Sequence, residues 1–140
     1  MQITYSPALS EDKDAVFTLC KQLIDDYEDT AAIDYEKVIG WIKRKLEKNI
    51  TSYTRVMVEC KLAGWYSLDK ETGELDDLYI LPQFQGMGLG SAVINKCIAE
   101  SEKPLWLYVF KKNTRAIGLY RRMGFAIREE VGKTRYIMER

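Results

Sequence analysis

Val16, Leu19, Cys20, Leu23, Ile24 and Tyr27 recur at the spacing of one helical face, and Ser10 followed by Glu11 and Asp12 supplies an N-cap and an acidic first turn. The pattern predicts an amphipathic helix over residues 11–28. A second helix is predicted over residues 34–48, with Val38, Ile42 and Leu46 on one face and Asp34 as its cap. From Thr51 the period changes to two: Thr54, Val56, Val58 and Cys60 alternate with Tyr53, Arg55, Met57 and Glu59, as in a half-exposed strand. Residues 62–68 form a second strand, residues 69–73 a polar turn, and residues 74–81 a third strand of an antiparallel meander. Pro82 stops that strand, and Leu89, Val93, Ile94, Cys97 and Ile98 then mark a helix to about residue 101. Residues 105–110 are almost wholly apolar, the pattern of a strand buried on both faces. Asn113 caps a last helix that Gly124 stops, and residues 125–131 and 133–138 close the chain as a hairpin around Gly132.

This order predicts an α/β fold with a mixed, mostly antiparallel central sheet flanked by helices. The 140 residues are expected to form one domain, long enough to bury about 70% of the unfolded surface without a metal or a disulfide. Cys20, Cys60 and Cys97 are odd in number and widely spaced, which suggests free thiols and a reducing cytoplasm. Residues 1–10 lack the features of a leader, and no apolar run approaches the length of a membrane span.

Composition narrows the chemistry. The chain has no histidine, so Ser-His-Asp and Cys-His nucleophiles, His-ligated zinc and imidazole acid/base catalysis are excluded. Its 21 basic and 21 acidic residues are unevenly placed. Residues 11–36 hold nine acids against two bases, a net of −7, and the rest of the chain holds 19 bases against 12 acids, a net of +7. Such a division suits two ligands of opposite charge. Overall neutrality and aromatic residues in apolar strands argue against a nucleic-acid partner.

The segment Gln85-Gly86-Met87-Gly88-Leu89-Gly90-Ser91 joins a strand to a helix. Its glycines let a ligand approach the backbone, and the free N–H groups of the helix start suit a pyrophosphate. A Walker A loop would end in Gly-Lys-Ser/Thr, and the Rossmann fingerprint would need glycine at position 91. The spacing that fits is Q-x-x-G-x-G, placed after a strand and a proline. On this motif, and on Asn113, Ala116, Tyr120 and Gly124-Phe125 in the arrangement N-x-x-A-x-x-x-Y-x-x-x-G-F, the chain resembles the GNAT family of N-acetyltransferases over nearly its whole length.

That resemblance implies acetyl-CoA as donor, an amine as acceptor and no metal. It places the pyrophosphate on the N–H groups of residues 85–91 and the pantetheine arm along Leu78, Tyr79 and Ile80, where a bulge splays the strand from its neighbour. A backbone N–H near Tyr79 or Ile80 then faces the oxyanion. Asn113 and Ala116 border the pantetheine, Asn113 being equally a plain N-cap. Tyr120 becomes the acid for the departing thiolate. Glu74 matches the position of the general base, with Asp76 and Asp77 as close alternatives, since strict alternation separates Asp77 from the other two and a bulge would change that parity. Lys111, Lys112, Arg115, Arg121 and Arg122 either reach the coenzyme's phosphates or face solvent. Cys97 and Cys20 lie on apolar helix faces, so direct attack within a ternary complex is expected. The acidic opening segment, with Tyr27, Tyr35 and Trp41, points to a cationic amine. A non-catalytic CoA-binding sensor shares all these features except turnover. The closing hairpin offers an edge for a homodimer.

Overall fold

The computed structural model describes residues 1–140. Strand β1 (Ile3–Pro7) leads into a 3₁₀ turn and helix α1 (Lys13–Tyr27), followed by α2 (Tyr35–Asn49). Three antiparallel strands come next, β2 (Thr54–Val58), β3 (Lys61–Leu68) and β4 (Leu75–Ile80). Helix α3 (Leu89–Glu100), strand β5 (Trp106–Phe110), helix α4 (Thr114–Arg122) and the hairpin β6 (Ala126–Val131) and β7 (Arg135–Glu139) complete the chain. The helices match the predicted periodicity to within a few residues, and Asp34 caps α2 by accepting the Lys37 N–H at 3.2 Å.

Strand β1 was not among the predicted elements. Ile3 and Tyr5 alternate with Thr4 and Ser6, and the segment pairs antiparallel with β2 at the sheet edge, where Pro7 is tolerated. Ser10 belongs to the 3₁₀ turn, and Asp12 is the residue at the start of α1. Asp12 is 4% exposed, accepts two 2.7 Å bonds from Arg55 of β2 and one from the Leu9 N–H, and so is withdrawn from the acidic surface.

The strands form two sheets, β1-β2-β3-β4 and β5-β7-β6, so the hairpin inserts β7 between β5 and β6. They meet only at the root of β4 and β5, where Glu74 and Trp106 form a parallel bridge and the Trp106 N–H donates to the Gly73 carbonyl at 3.0 Å. Beyond it β4 and β5 make no ladder and a gap opens. One face carries a core of Val56, Tyr66, Leu75, Leu107, Val109 and Met138 against α3 and α4. The other carries Tyr53, Trp65 and their neighbours against Val16, Cys20 and Ile24 of α1 and Ile42 and Leu46 of α2.

Helices α1 and α2 stop short of covering β5. Phe110 packs under Tyr27, but Tyr108 is 45% exposed and Trp106 half-buried. The expectation that β5 is buried on both faces is therefore corrected: its outer rings border the gap, with Arg128 over Trp106 at 5.6 Å and Arg135 over Tyr108 at 5.2 Å.

The β2–β3 hairpin turns through Glu59 (φ 49°) and Cys60 (φ 66°). Two consecutive left-handed residues suit Asn-Gly, not Glu-Cys. Cys60→Gly is expected to raise stability by about 1 kcal/mol, read as a rise of about 3 °C in the thermal midpoint.

Candidate active site

The gap is lined on one side by β4. Its register against β3 runs Trp65↔Tyr79 and then Ser67↔Asp76, so Asp77 and Leu78 together oppose Tyr66. This is the bulge, centred on Asp77 at φ 51°. The extra residue puts Asp76 and Asp77 on the same side of the strand, facing α2, where Lys45 Nζ lies 2.6 Å from Asp76 Oδ2 and 3.2 Å from Asp77 Oδ2. Asp77 also accepts from the Tyr53 hydroxyl and, at 3.0 Å, from the Tyr79 hydroxyl, which in turn lies 3.2 Å from Cys20 Sγ. Asp76 has Lys45 alone. Glu74 lies at the root of the gap.

These carboxylates differ in character. Burial pushes the Asp76 carboxyl up to about 6, with the adjacent Asp77 charge adding to the rise and Lys45 opposing it. Yet 40% of the Asp76 side-chain surface remains open. Burial also raises Glu74, again against the pull of Lys45. From α4 comes Tyr120, whose ring packs on Phe125 at 5.6 Å and whose hydroxyl makes no hydrogen bond inside the protein. Burial, followed by the Asp76 charge, pushes its phenol up to about 12.

Main-chain directions follow from the pairing. Leu81 donates to the Ala63 carbonyl at 2.8 Å, so by antiparallel alternation Tyr79 turns its N–H and C=O toward β3 and Ile80 turns its own away. The Ile80 carbonyl accordingly accepts from Gln85 Nε2 at 2.9 Å. Of the Tyr79 and Ile80 N–H groups, that of Ile80 is the one turned toward the gap. Gly64 makes this arrangement possible, because a Cβ there would lie 2.0 Å from the Tyr79 carbonyl oxygen.

At the end of β4 the chain enters the glycine loop. Gly86 and Gly88 adopt φ 78° and 79°, and Gly88 caps α3 with no side-chain bond. The Gln85 N–H closes on the Pro82 carbonyl, so Gln85 acts through its side chain. The N–H groups of Gly86, Met87, Gly88, Leu89, Gly90 and Ser91 find no acceptor within the protein, and the first helical bond of α3 is Ala92 N–H to Gly88 O. Six consecutive free donors at a helix N-terminus form an anion cradle. A Cβ on Gly90 would meet Leu119 Cδ2 at 2.9 Å, so α4 packs directly against the cradle. Arg115 Nη1 bonds Gln85 Oε1 at 2.5 Å and adds positive charge there. Lys111 instead pairs with Glu130 and covers the Tyr136 ring. Asn113 caps α4 by accepting the Ala116 N–H at 3.3 Å. Burial pushes the Cys20 and Cys97 thiols up to about 12, which removes both as nucleophiles near neutral pH.

A splayed pair of strands, a bulge in one of them and a cradle of free N–H groups coincide with a direct match: residues 4–125 fit the model of the acetyltransferase (GNAT) family. The chain belongs to the GNAT acetyltransferase family. An uncharacterised N-acetyltransferase of Methanocaldococcus jannaschii is 37% identical over 68 residues, which cover 44% of this chain and 29% of that protein. The match thus spans less than a third of that relative's length. Among solved structures, apo YjaB from Escherichia coli superposes with a TM-score of 0.74 at 18% identity, covering 99% of this chain and 97% of its own. PaiA N-acetyltransferase from Thermoplasma acidophilum, solved with coenzyme A, gives 0.70 at 20% identity, covering 100% and 99%. At these identities the likeness is one of GNAT fold. No helix is long and apolar enough to cross a membrane.

Lys45, Tyr53 and Gly64 are site residues outside the motifs of the sequence. Gly64 carried a signal, an isolated glycine inside a strand pattern. Nothing in the spacing around Lys45 or Tyr53 marks either.

Proposed function

We propose that this GNAT protein moves the acetyl group of acetyl-CoA to a primary amine by direct attack in a ternary complex. The observation that carries this reading is the row of six unpaired N–H groups at the start of α3, a pyrophosphate seat contiguous with the gap. Gly86 to Ser91 take the pyrophosphate, with Arg115 beside them. The pantetheine arm enters the gap along Leu78 and Ile80 in the manner of an added strand, past Asn113 and Ala116.

The thioester carbonyl then lies between β4 and Tyr120, with the Ile80 N–H available to its oxyanion. The acceptor amine approaches from the α2 side of the gap, away from the Arg128 and Arg135 guanidiniums that stand over the Trp106 and Tyr108 rings, where Asp76 and the 57% exposed Trp41 favour a cationic molecule or peptide amine. Asp76 takes the proton. Moving it from an alkylammonium at ~10.4 to an ordinary aspartate is uphill by about 9 kcal/mol, and a carboxyl near 6 reduces this to about 6 kcal/mol. Desolvation of the ammonium in the gap supplies part of the remainder. The amine nitrogen bonds the acetyl carbon, the C–S bond breaks, and the sulfur leaves as thiolate. A phenol near 12 gives a proton to a thiolate of ~8.5 only at a cost of about 5 kcal/mol, so Tyr120 acts by donating a hydrogen bond to the sulfur.

Thiol release from acetyl-CoA, followed with a thiol reagent across a panel of primary amines, tests the activity and separates it from a CoA-binding sensor. A preference for anionic amino acids would overturn the cationic acceptor. Gly88→Ala tests the cradle. A Cβ there meets nothing in the protein and costs only about 1 kcal/mol of left-handed strain, yet it projects where the pyrophosphate lies. A loss of about tenfold or more in acetyl-CoA affinity by calorimetry, with a small change in thermal midpoint, is expected.

A further inference from the structure

No bond of the acetyl transfer involves Lys45, yet its ammonium occupies the most charged point beside the gap. It comes from the middle of α2, bonds Asp76 and Asp77 together, lies 5.5 Å from the Trp41 ring centroid, and keeps 23% of its side-chain surface exposed. Helix α2 does not depend on it for attachment, since Ile42 and Leu46 are already buried in the core.

The bulge creates the need for this cation. Regular alternation would send neighbouring carboxylates to opposite faces, but the inserted residue sets Asp76 and Asp77 side by side. Asp77 is held by three donors, Tyr53, Tyr79 and Lys45, and serves as an anchor. Asp76 has one donor, so Lys45 alone fixes where its carboxylate points. The groups around Asp76 are Glu74 and Asp77 from β4, Lys45 from α2, and Tyr120 from α4. Tyr53, from the segment before β2, and Cys20 of α1, through Tyr79, act on it by way of Asp77. Lys45 is the single cation among them.

We propose that Lys45 is the positioning residue of the transfer: by bridging Asp76 and Asp77 it aims the Asp76 carboxylate into the gap and supplies the positive charge that lets the two stand together. This rests on the reading of Asp76 as proton acceptor. Removal of the cation leaves Asp77 as the dominant neighbour, which favours a protonated Asp76. Arginine would keep the charge and the bridge.

The test compares Lys45→Met, Lys45→Gln and Lys45→Arg in the full chain. It uses the pH profile of kcat/KM for a primary amine at saturating acetyl-CoA, and a carbon-13 NMR titration of the Asp76 carboxyl in the free protein. The wild-type limb is expected near pH 6. Both uncharged variants should move limb and NMR midpoint upward together by about one unit, lowering kcat/KM on the acidic side about tenfold, while Lys45→Arg leaves both in place. Acetyl-CoA affinity should not change. An unmoved limb and midpoint in folded Lys45→Met or Lys45→Gln overturns the proposal, as does an equal loss at every pH in all three variants. If Asp76→Asn abolishes the limb but Lys45→Met leaves it, this inference alone fails. If the NMR midpoint shifts and the rate limb does not follow, the assignment of Asp76 as base fails and takes this inference with it.

Discussion

Asp76→Asn is expected to lower kcat for a primary amine by about 10²- to 10³-fold while leaving the Kd for acetyl-CoA unchanged, and to abolish the acidic limb of the pH profile. Three neighbouring acids are available, and their surroundings separate them. Asp77 is saturated by Tyr53, Tyr79 and Lys45, has 13% of its side-chain surface exposed and holds the bulge. Its loss should appear chiefly as instability, because Lys45 and two buried hydroxyls lose their shared acceptor. Glu74 is lifted by burial but lies at the root of the gap, below the point where the strands part. Glu74→Gln should cost less than tenfold. Asp76 combines an open face, a single partner, a carboxyl near 6 and a charge felt by Tyr120 across the gap. Steady-state kinetics of the three variants decide among them; an Asp76→Asn enzyme of ordinary turnover would remove Asp76 as the base.

The largest structural effect is expected at a residue outside the site. Gly64→Ala puts a Cβ 2.0 Å from the Tyr79 carbonyl oxygen and 3.2 Å from the Ile80 Cα, both main chain. Neither neighbour can rotate aside as a side-chain tip would. Relief requires β3 and β4 to separate where β4 aims Ile80 at the gap, so a loss of about 3 kcal/mol or more in urea unfolding is expected, together with loss of acetyl-CoA binding. A stable Gly64→Ala protein that binds acetyl-CoA normally would show that the strands slide at little cost.

The helices were legible because each carries a stripe at the helical period, and α2 and α4 also carry a capping residue, Asp34 and Asn113. The glycine loop was legible because its chemistry depends on backbone spacing, which sequence records directly. Strand β1 had the right alternation in Ile3, Thr4, Tyr5 and Ser6, but five residues ending in proline form too short a pattern to stand apart from a loop. The misjudged burial of β5 has a different cause: sequence reports that Trp106 and Tyr108 are apolar, not how far α1 and α2 extend over them. The position of the expected bulge was hidden because the residue it inserts, Asp77, is not a glycine that would mark its positive φ. Without its position, the parity of Glu74, Asp76 and Asp77 could not be assigned, and Lys45 could not be connected to them across 31 residues of chain.

The gap between β4 and β5 also bears on the stability of the fold. A closed seven-stranded sheet would satisfy these inner strand edges internally, whereas here the main chain of one edge and six amides of the adjoining loop await a visitor. Whatever fills them binds the folded chain and not the unfolded one, and at a hundred times its Kd it adds about 2.7 kcal/mol to stability. Saturation with acetyl-CoA is accordingly expected to raise the thermal midpoint of the folded chain, in proportion to the logarithm of its concentration above Kd.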